Sequence, residues 1–354
     1  RNRIHSVPTS VTQSGYKRRD GGYLKRSLPP LDFAYSQATI DETVREIDAE
    51  SLENLPYGLD GSTYQWVDLD GEGVSGVLTE QAGAWFYKRN LSPASFEKDS
   101  GHESPTVMLG PLECVAKKPS FSRLGAGGPQ FLDLAGDGQL DLVELDGPTP
   151  GFFERTHDED WAPFRAFESL PNLNWGDPNL KFVDLTGDGH ADILITEDAA
   201  FCWHPSLAEA GFAPSEQVRK ALDEEKGPRL VFADGTQSIY LTDMSGDGHT
   251  VRARIRSGEV CYWPNLGYGH FGAKVTMDSA PWFDSPDQFD QKRIRLADID
   301  GSGVTDIIYL KSDGPHIYLN HSGNSWSQGR KLDHFLAIDN LSSVLAMDLL
   351  GNGT

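Results

Sequence analysis

The sequence predicts an all-β protein: a β-propeller of four-stranded blades, six in number, with the last blade truncated. Three observations carry that prediction. A short loop rich in Asp and Gly recurs six times along the 354 residues. An aromatic strand follows each complete loop at a similar distance. Helical text is almost absent, while 37 Gly and 21 Pro supply turns for many short strands.

Residues 1–50 read as a lead-in segment with the first strands. A basic cluster (Lys17, Arg18, Arg19, Lys25, Arg26) precedes Leu28-Pro-Pro-Leu31, with a strand expected around Tyr23 and Leu24. The cluster reads either as solvated surface or as a contact for an acidic partner. Alternation from Leu31 to Tyr35 and from Thr43 to Ile47 predicts two further short strands. Turn chemistry from Asn54 to Gly61 leads into the propeller repeats, which occupy 51–354.

The six loops lie at 68–76, 133–141, 184–192, 243–251, 298–306 and 348–354. Their first Asp residues are 65, 51, 59, 55 and 50 residues apart. A strand, a turn and an aromatic strand follow: Trp85-Phe-Tyr87, Phe201-Cys-Trp203, Val260-Cys-Tyr-Trp263 and Ile317-Tyr318. A further turn then ends on Phe96, Phe212, Phe271 or Trp326; the second repeat keeps only Phe152, Phe153, Trp161 and Phe164. Four short strands with a Gly and aromatic motif per unit are what a propeller blade requires. One helix is expected, over 214–226, capped by Ser215 and stopped by Gly227-Pro228.

The Asp loops admit two readings. Carboxylates at the first, fifth and ninth positions, with an oxygen at the third (Thr186 in loop three, Asp300 in loop five) and a carbonyl at the seventh, are the oxygen ligands that calcium takes. Loop three matches best with Asp184, Asp188 and Asp192, then loop five with Asp298, Asp300 and Asp306, and loop two with Asp133, Asp137 and Asp141. Loops one and four lose a ligand, because Gly76 and Val251 hold the ninth position. Alternatively, the Asp side chains accept from amides of their own turns and need no metal.

Other chemistry finds little support. The net charge of −22 argues against sequence-independent nucleic-acid binding and against docking on an anionic membrane. No apolar run is long enough to span a bilayer. Cys114, Cys202 and Cys261 match no zinc or disulfide pattern, and Cys202 and Cys261 read as buried thiols. No nucleophile elbow, zinc-protease motif, phosphate loop or redox pair occurs, so no enzyme is expected. Trp161, Trp175, Trp203, Trp263 and Trp282 read mostly as anchors between blades, with sugar stacking as the other reading. The chain opens on Arg1 and stops inside a loop motif, as a piece of a longer protein would.

Longer phrases carry a more specific resemblance. They include Trp203-His-Pro-Ser-Leu207, the run from Gly227 to Tyr240, Val260-Cys-Tyr-Trp-Pro-Asn-Leu-Gly-Tyr-Gly269 and Leu296-Ala-Asp-Ile-Asp-Gly301. With Arg26 to Leu31 and Ile47 to Leu55, the chain resembles the B component of insecticidal Tc toxin complexes. The match is to the SpvB/TcdB-type region with FG-GAP/VCBS-like repeats. The resemblance implies a secreted, non-enzymatic six-bladed propeller. Its implied partners are a pentameric A-component channel, on which it docks, and a C component. It would gate release of the toxin that B and C enclose. An adhesion propeller of integrin or lectin type, binding calcium or carbohydrate, is the alternative. One departure stands out: Thr250-Val-Arg-Ala-Arg254 puts Arg252 where an apolar strand residue is expected. Such an Arg would have to pair with an acid, shift the strand or weaken its blade.

Overall fold

The computed structural model describes residues 8–34, 40, 43–55, 64–95, 106–115, 119, 130–197, 200–229, 238–285, 288–333 and 344–351. The expected turn beyond Leu55, the aromatic Phe96, much of the run from Gly227 to Tyr240, and the end of loop six lie outside them. So does Tyr35.

The lead-in segment forms a two-stranded ribbon. β1 (Ser10–Val11) pairs with β4 (Leu31–Asp32), and β2 (Ser14–Arg19) pairs with β3 (Gly22–Ser27) over six residue pairs. Asp20 and Gly21 make the turn, both at positive φ (46° and 85°). That is the two-residue hairpin turn whose twist matches its strands. The strand expected around Tyr23 is β3. The one expected over 43–47 does not form; α1 (Ala49–Leu52) follows it instead, capped by Asp48, which accepts from the Ser51 amide at 2.8 Å.

Five four-stranded sheets follow among the described residues, each a meander in chain order. Blade one is β5 (Tyr64–Val67), β6 (Gly76–Gln81), β7 (Ala84–Asn90) and β8 (Leu109–Cys114). Blade two is β9 (Gln130–Leu132), β10 (Asp141–Glu144), β11 (Gly151–Phe153) and β12 (Arg165–Ala166). Blade three is β13 (Leu180–Val183), β14 (Asp192–Thr196), β15 (Ala200–His204) and β16 (Glu216–Arg219). Blade four is β17 (Ser238–Thr242), β18 (Val251–Arg256), β19 (Glu259–Trp263) and β20 (Val275–Thr276). Blade five is β21 (Ile294–Ala297), β22 (Asp306–Lys311), β23 (Gly314–Tyr318) and β24 (Arg330–Lys331). Five four-stranded blades thus stand where six, the last truncated, are expected; the sixth repeat shows its loop at 348–351 and no strand among the described residues.

The helix expected over 214–226 is also wrong. Glu216–Arg219 is the outer strand of blade three, paired with β15, and only Glu224–Lys226 turns as a 3-10 helix. Strand pairing on an open sheet edge outweighs helix propensity in a stretch with no apolar stripe to bury.

The core lies between blades rather than within them. Leu69, Leu78 and Trp85 of blade one pack with Leu142 of blade two. Val143 and Phe152 of blade two meet Leu180, Ile193 and Phe212 of blade three. Val183, Leu194 and Trp203 of blade three meet Leu241 and Phe271 of blade four. The largest cluster joins Met244, Ala253, Val260 and Tyr262 of blade four to Ile294, Ile307, Tyr309 and Trp326 of blade five. A small cluster of Tyr64, Val77 and Leu109, with Leu55 and Trp66 packed on it, completes blade one. Trp203 and Trp263 are buried anchors as expected, whereas Trp282 is 74% exposed.

Arg252 resolves without a strand shift. β17, β18 and β19 stay in continuous register through it. Its side chain is fully buried, and the guanidinium lies 5.3 Å from the Phe201 ring centroid of blade three. Burial lowers its pKa to about 9.

Candidate functional site

Each Asp loop joins the first two strands of its blade, and the turn between strands three and four emerges on the same face. The first Asp of each loop caps the turn. Asp184 accepts from the amides of Gly187 (2.6 Å), Gly189 (2.9 Å) and Thr186 (3.1 Å). Asp133, Asp243 and Asp298 accept from the corresponding amides of Gly138, Gly248 and Gly303 at 2.7–2.9 Å. Burial raises the Asp184 pKa, but the amides outweigh it and hold the carboxyl below its ordinary value.

The ninth-position Asp does a different job. Asp141, Asp192 and Asp306 are buried and accept from the second-position amides of Leu134, Leu185 and Ile299 at 2.9–3.2 Å. Asp192 and Asp306 also accept from Ser206 and Asn320 in the next turn of the blade, at 2.8 and 2.7 Å. Burial lifts all three pKa values, those of Asp141 and Asp306 to about 7. Loop one has Gly76 here, and the Tyr87 hydroxyl substitutes: it lies 3.4 Å from the Leu69 amide and donates to Val67 O at 3.1 Å. A Cβ at Gly76 would stand 2.5 Å from that hydroxyl, so Gly76 and Tyr87 form one unit. Tyr87 was not predicted; the signal was the coincidence of a missing Asp with a Tyr in the facing strand.

The predicted calcium residues gather in one loop only. Among the described residues, ligand atoms of Asp298, Asp300 and Asp306 lie within 4.8 Å of one another. The trios Asp184, Asp188, Asp192 and Asp133, Asp137, Asp141 do not converge in this way. Calcium takes six to eight oxygens, so loop five offers a partial set whose carboxylates also serve backbone amides.

The loops also touch one another. A Cβ on the fourth-position glycine would meet the seventh-position residue of the next loop in every described case. Gly71 faces Gln139 at 3.2 Å, Gly136 faces His190 at 2.9 Å, and Gly187 faces His249 at 3.1 Å. Gly246 faces Val304 at 2.9 Å, and Gly351 faces Val74 of loop one at 2.8 Å. For Gly301 the corresponding residue is Thr354, outside the described residues. These glycines have φ between 69° and 80°, where a side chain would be strained even without the contact.

Second-position carbonyls form a parallel set of latches. Leu134 O lies 3.1 Å from His190 Nδ1, and Leu185 O accepts from the Tyr268 amide at 3.2 Å. Met244 O accepts from Asn320 Nδ2 at 2.9 Å, and Leu349 O accepts from Asn90 Nδ2 at 3.0 Å. Loop six therefore sits against blade one as loop four sits against blade five. Four residues ahead of loop six, Val344 O accepts from Arg295 Nε of blade five at 2.6 Å.

Such a ring of four-stranded blades defines the class: a β-propeller. Comparison with solved structures narrows it. The Photorhabdus luminescens Tc holotoxin pore, in a mutant form, matches with a TM-score of 0.74 and 25% identity, over 100% of this chain and 16% of that one. The TcdB2–TccC3 complex without its hypervariable C-terminal region matches with a TM-score of 0.53 and 24% identity, over 98% and 16%. The chain is thus a β-propeller whose structural relatives are Tc toxins, as the resemblance implied, and it spans about one sixth of their length. An Agrocybe aegerita lectin that recognises non-reducing terminal N-acetylglucosamine shares the fold, at 18% identity and a TM-score of 0.50 over 76% of this chain and 65% of the lectin. No protein-family model and no curated protein matches the chain.

Proposed function

We propose that this chain is the propeller region of a secreted Tc toxin B subunit. In that reading it is six-bladed when whole, catalyses nothing, docks on the A-component channel and gates release of toxin enclosed by B and C. The observation that carries the reading is the likeness to the holotoxin pore over the full length of the chain. Six blades are supported by the sixth repeat, whose Val344 meets Arg295 of blade five and whose loop meets Asn90 and Val74 of blade one. The non-catalytic part rests on residue use: the first and ninth carboxylates of the loops accept from backbone amides, Asp70 pairs with Arg89 and Arg155, and the amide pattern repeats from blade to blade.

The test deletes residues 64–351 from a B subunit and mixes the resulting B–C assembly with the A pentamer. Light scattering first checks that the B–C assembly keeps its size. Loss of A binding and of toxin delivery is expected. Undiminished binding and delivery would overturn the proposal.

Calcium in loop five is a second reading, favoured by the convergence of Asp298, Asp300 and Asp306. Calorimetry on chelator-stripped protein checks it. Binding heat that disappears in Asp300→Asn supports the ion, and no heat with no change in melting temperature rules it out.

A further inference from the structure

The ribbon at the start of the chain is unlike the rest of the molecule. Every described residue from Pro8 to Ala34 is exposed except Ser14, which is half-buried. Val11, Tyr16, Tyr23, Leu24 and Leu31 are all more than half exposed. An isolated two-stranded hairpin is marginal in water, yet this one keeps register over six pairs and continues through β1 and β4. Neither β2 nor β3 pairs with a third strand among the described residues, so both outer edges are open. Open edges with exposed aromatics are a template for another chain.

Charge narrows what that chain is. Between Ser14 and Ser27 the ribbon carries five cations and one carboxylate; its +4 leaves −26 on the remainder of a chain whose total is −22. The cations divide between the two faces. Cross-strand pairing puts Tyr16 beside Lys25 and Arg18 beside Tyr23 on one face, with Lys25 Nζ 5.9 Å from the Tyr16 centroid. Lys17, Arg19 and Arg26 lie on the other, around Leu24. A nucleic-acid backbone would be tracked by a single basic stripe that neutralises many phosphates. Here no face offers more than three cations. Cations on both faces with two open edges fit a ribbon inserted into a sheet whose surroundings are acidic.

We propose that residues 14–27 are a docking ribbon for an acidic protein surface. The ribbon would add its strands to an open sheet edge there and set its cations against flanking carboxylates. Backbone pairing would supply affinity, and charge would supply orientation and rate.

The experiment uses the full chain and a fluorescent peptide of alternating Glu and Thr, about twelve residues long to match the strands. Controls are the same peptide with Pro at every third position and a single-stranded oligonucleotide of equal charge. The alternating peptide is expected to bind, to protect the amides of 14–27 from hydrogen exchange, and to weaken about tenfold or more when Lys17, Arg18, Arg19, Lys25 and Arg26 all become Glu. Because these side chains touch no core, the variant should melt as the parent does; a milder variant with five Gln should fall between the two. Absent peptide binding, or binding indifferent to charge reversal, would overturn the proposal. Equal binding of the Pro peptide would overturn strand addition. Tighter binding of the oligonucleotide would make the ribbon a nucleic-acid contact instead.

Discussion

Asn320 and Asn90 make the same bonds at two different junctions. Asn320 Nδ2 donates to Met244 O and Thr305 O, joining blade five to loop four. Asn90 Nδ2 donates to Leu349 O and Ser75 O, joining blade one to loop six. Around Asn320 lies the largest apolar cluster, including Phe283 stacked on Tyr309 at 4.6 Å. Around Asn90 the apolar cluster is small among the described residues, and a cavity of about 1010 Å³ opens nearby, lined by Lys88, Leu91, Met108, Leu109 and Leu350. Lys88 is buried beside it and donates to Glu53 O at 2.9 Å, its pKa lowered by burial. The latch is thus a repeat feature, whereas the packing that makes a junction cooperative is a property of complete neighbouring blades.

The largest expected effect tests the packed junction. Phe283→Ala removes a fully buried ring and should cost roughly 3–5 kcal/mol in denaturant unfolding. A loss well under about 2 kcal/mol would mean that this junction collapses easily and would weaken the contrast. Next come the latches. Asn320→Ala strands the buried Met244 carbonyl and the half-buried Thr305 carbonyl and should cost roughly 2–4 kcal/mol, against about 1–2 kcal/mol for Asn90→Ala, whose acceptors on Ser75 and Leu349 are both half-buried. Equal losses would show that the two junctions are energetically alike despite their surroundings.

A smaller pair of changes sharpens the comparison geometrically. Gly246→Ala and Gly351→Ala both place a Cβ under 3 Å from a Val methyl at positive φ, at 2.9 and 2.8 Å. Gly246→Ala should cost about 2 kcal/mol. Gly351→Ala should cost less, because the described apolar cluster at its junction is the smaller one and resists a shift less. Gly303→Ala, at φ 80° with open space around it, isolates the backbone part alone. Thermal melts of the three variants rank them; Gly351 costing more than Gly246 would contradict the weaker packing of the closing junction.

Much of this architecture was legible because the loop is a chemical motif rather than a pattern of hydrophobicity. Asp184, Gly187 and Gly189 stand where a turn needs an acceptor and two positive φ angles, and each repeat restates that need. The Asp20-Gly21 hairpin was as readable, although the sequence reading placed only a strand near Tyr23. What stayed hidden depends on contacts between repeats. Nothing in Glu216–Arg219 shows that an open edge awaits it, so its charged, helix-favouring residues misled. Arg252 occupies the place that Val77, Leu142, Ile193 and Ile307 hold in the other blades, and its cover, Phe201, comes from a neighbouring blade. Tyr87 standing in for an Asp likewise needs the register of two strands. The calcium trio converged in loop five rather than the best sequence match, loop three, because its third position is Asp300 rather than Thr186.

The smallest expected effect concerns proton binding at the ninth position, and it separates loop two from loop five. Asp141 accepts one backbone amide, from Leu134, whereas both oxygens of Asp306 accept amides. Burial raises the Asp141 pKa to about 7, far above the roughly 3.9 of an unfolded Asp. The folded state therefore binds this proton more tightly than the unfolded one. Its stabilising share is complete below about pH 4 and is lost as pH rises through about 7. Asp141→Asn keeps one acceptor for the Leu134 amide and removes the titration. Melts between pH 6 and pH 7 should then show the variant gaining on the parent as pH rises, by roughly 1 kcal/mol. Asp306→Asn should gain nothing at pH 8, because an amide NH₂ would face one of its two donors. If the Asp141 variant shows no pH-dependent gain, that carboxyl ionises without cost and its surroundings are wetter than its burial indicates.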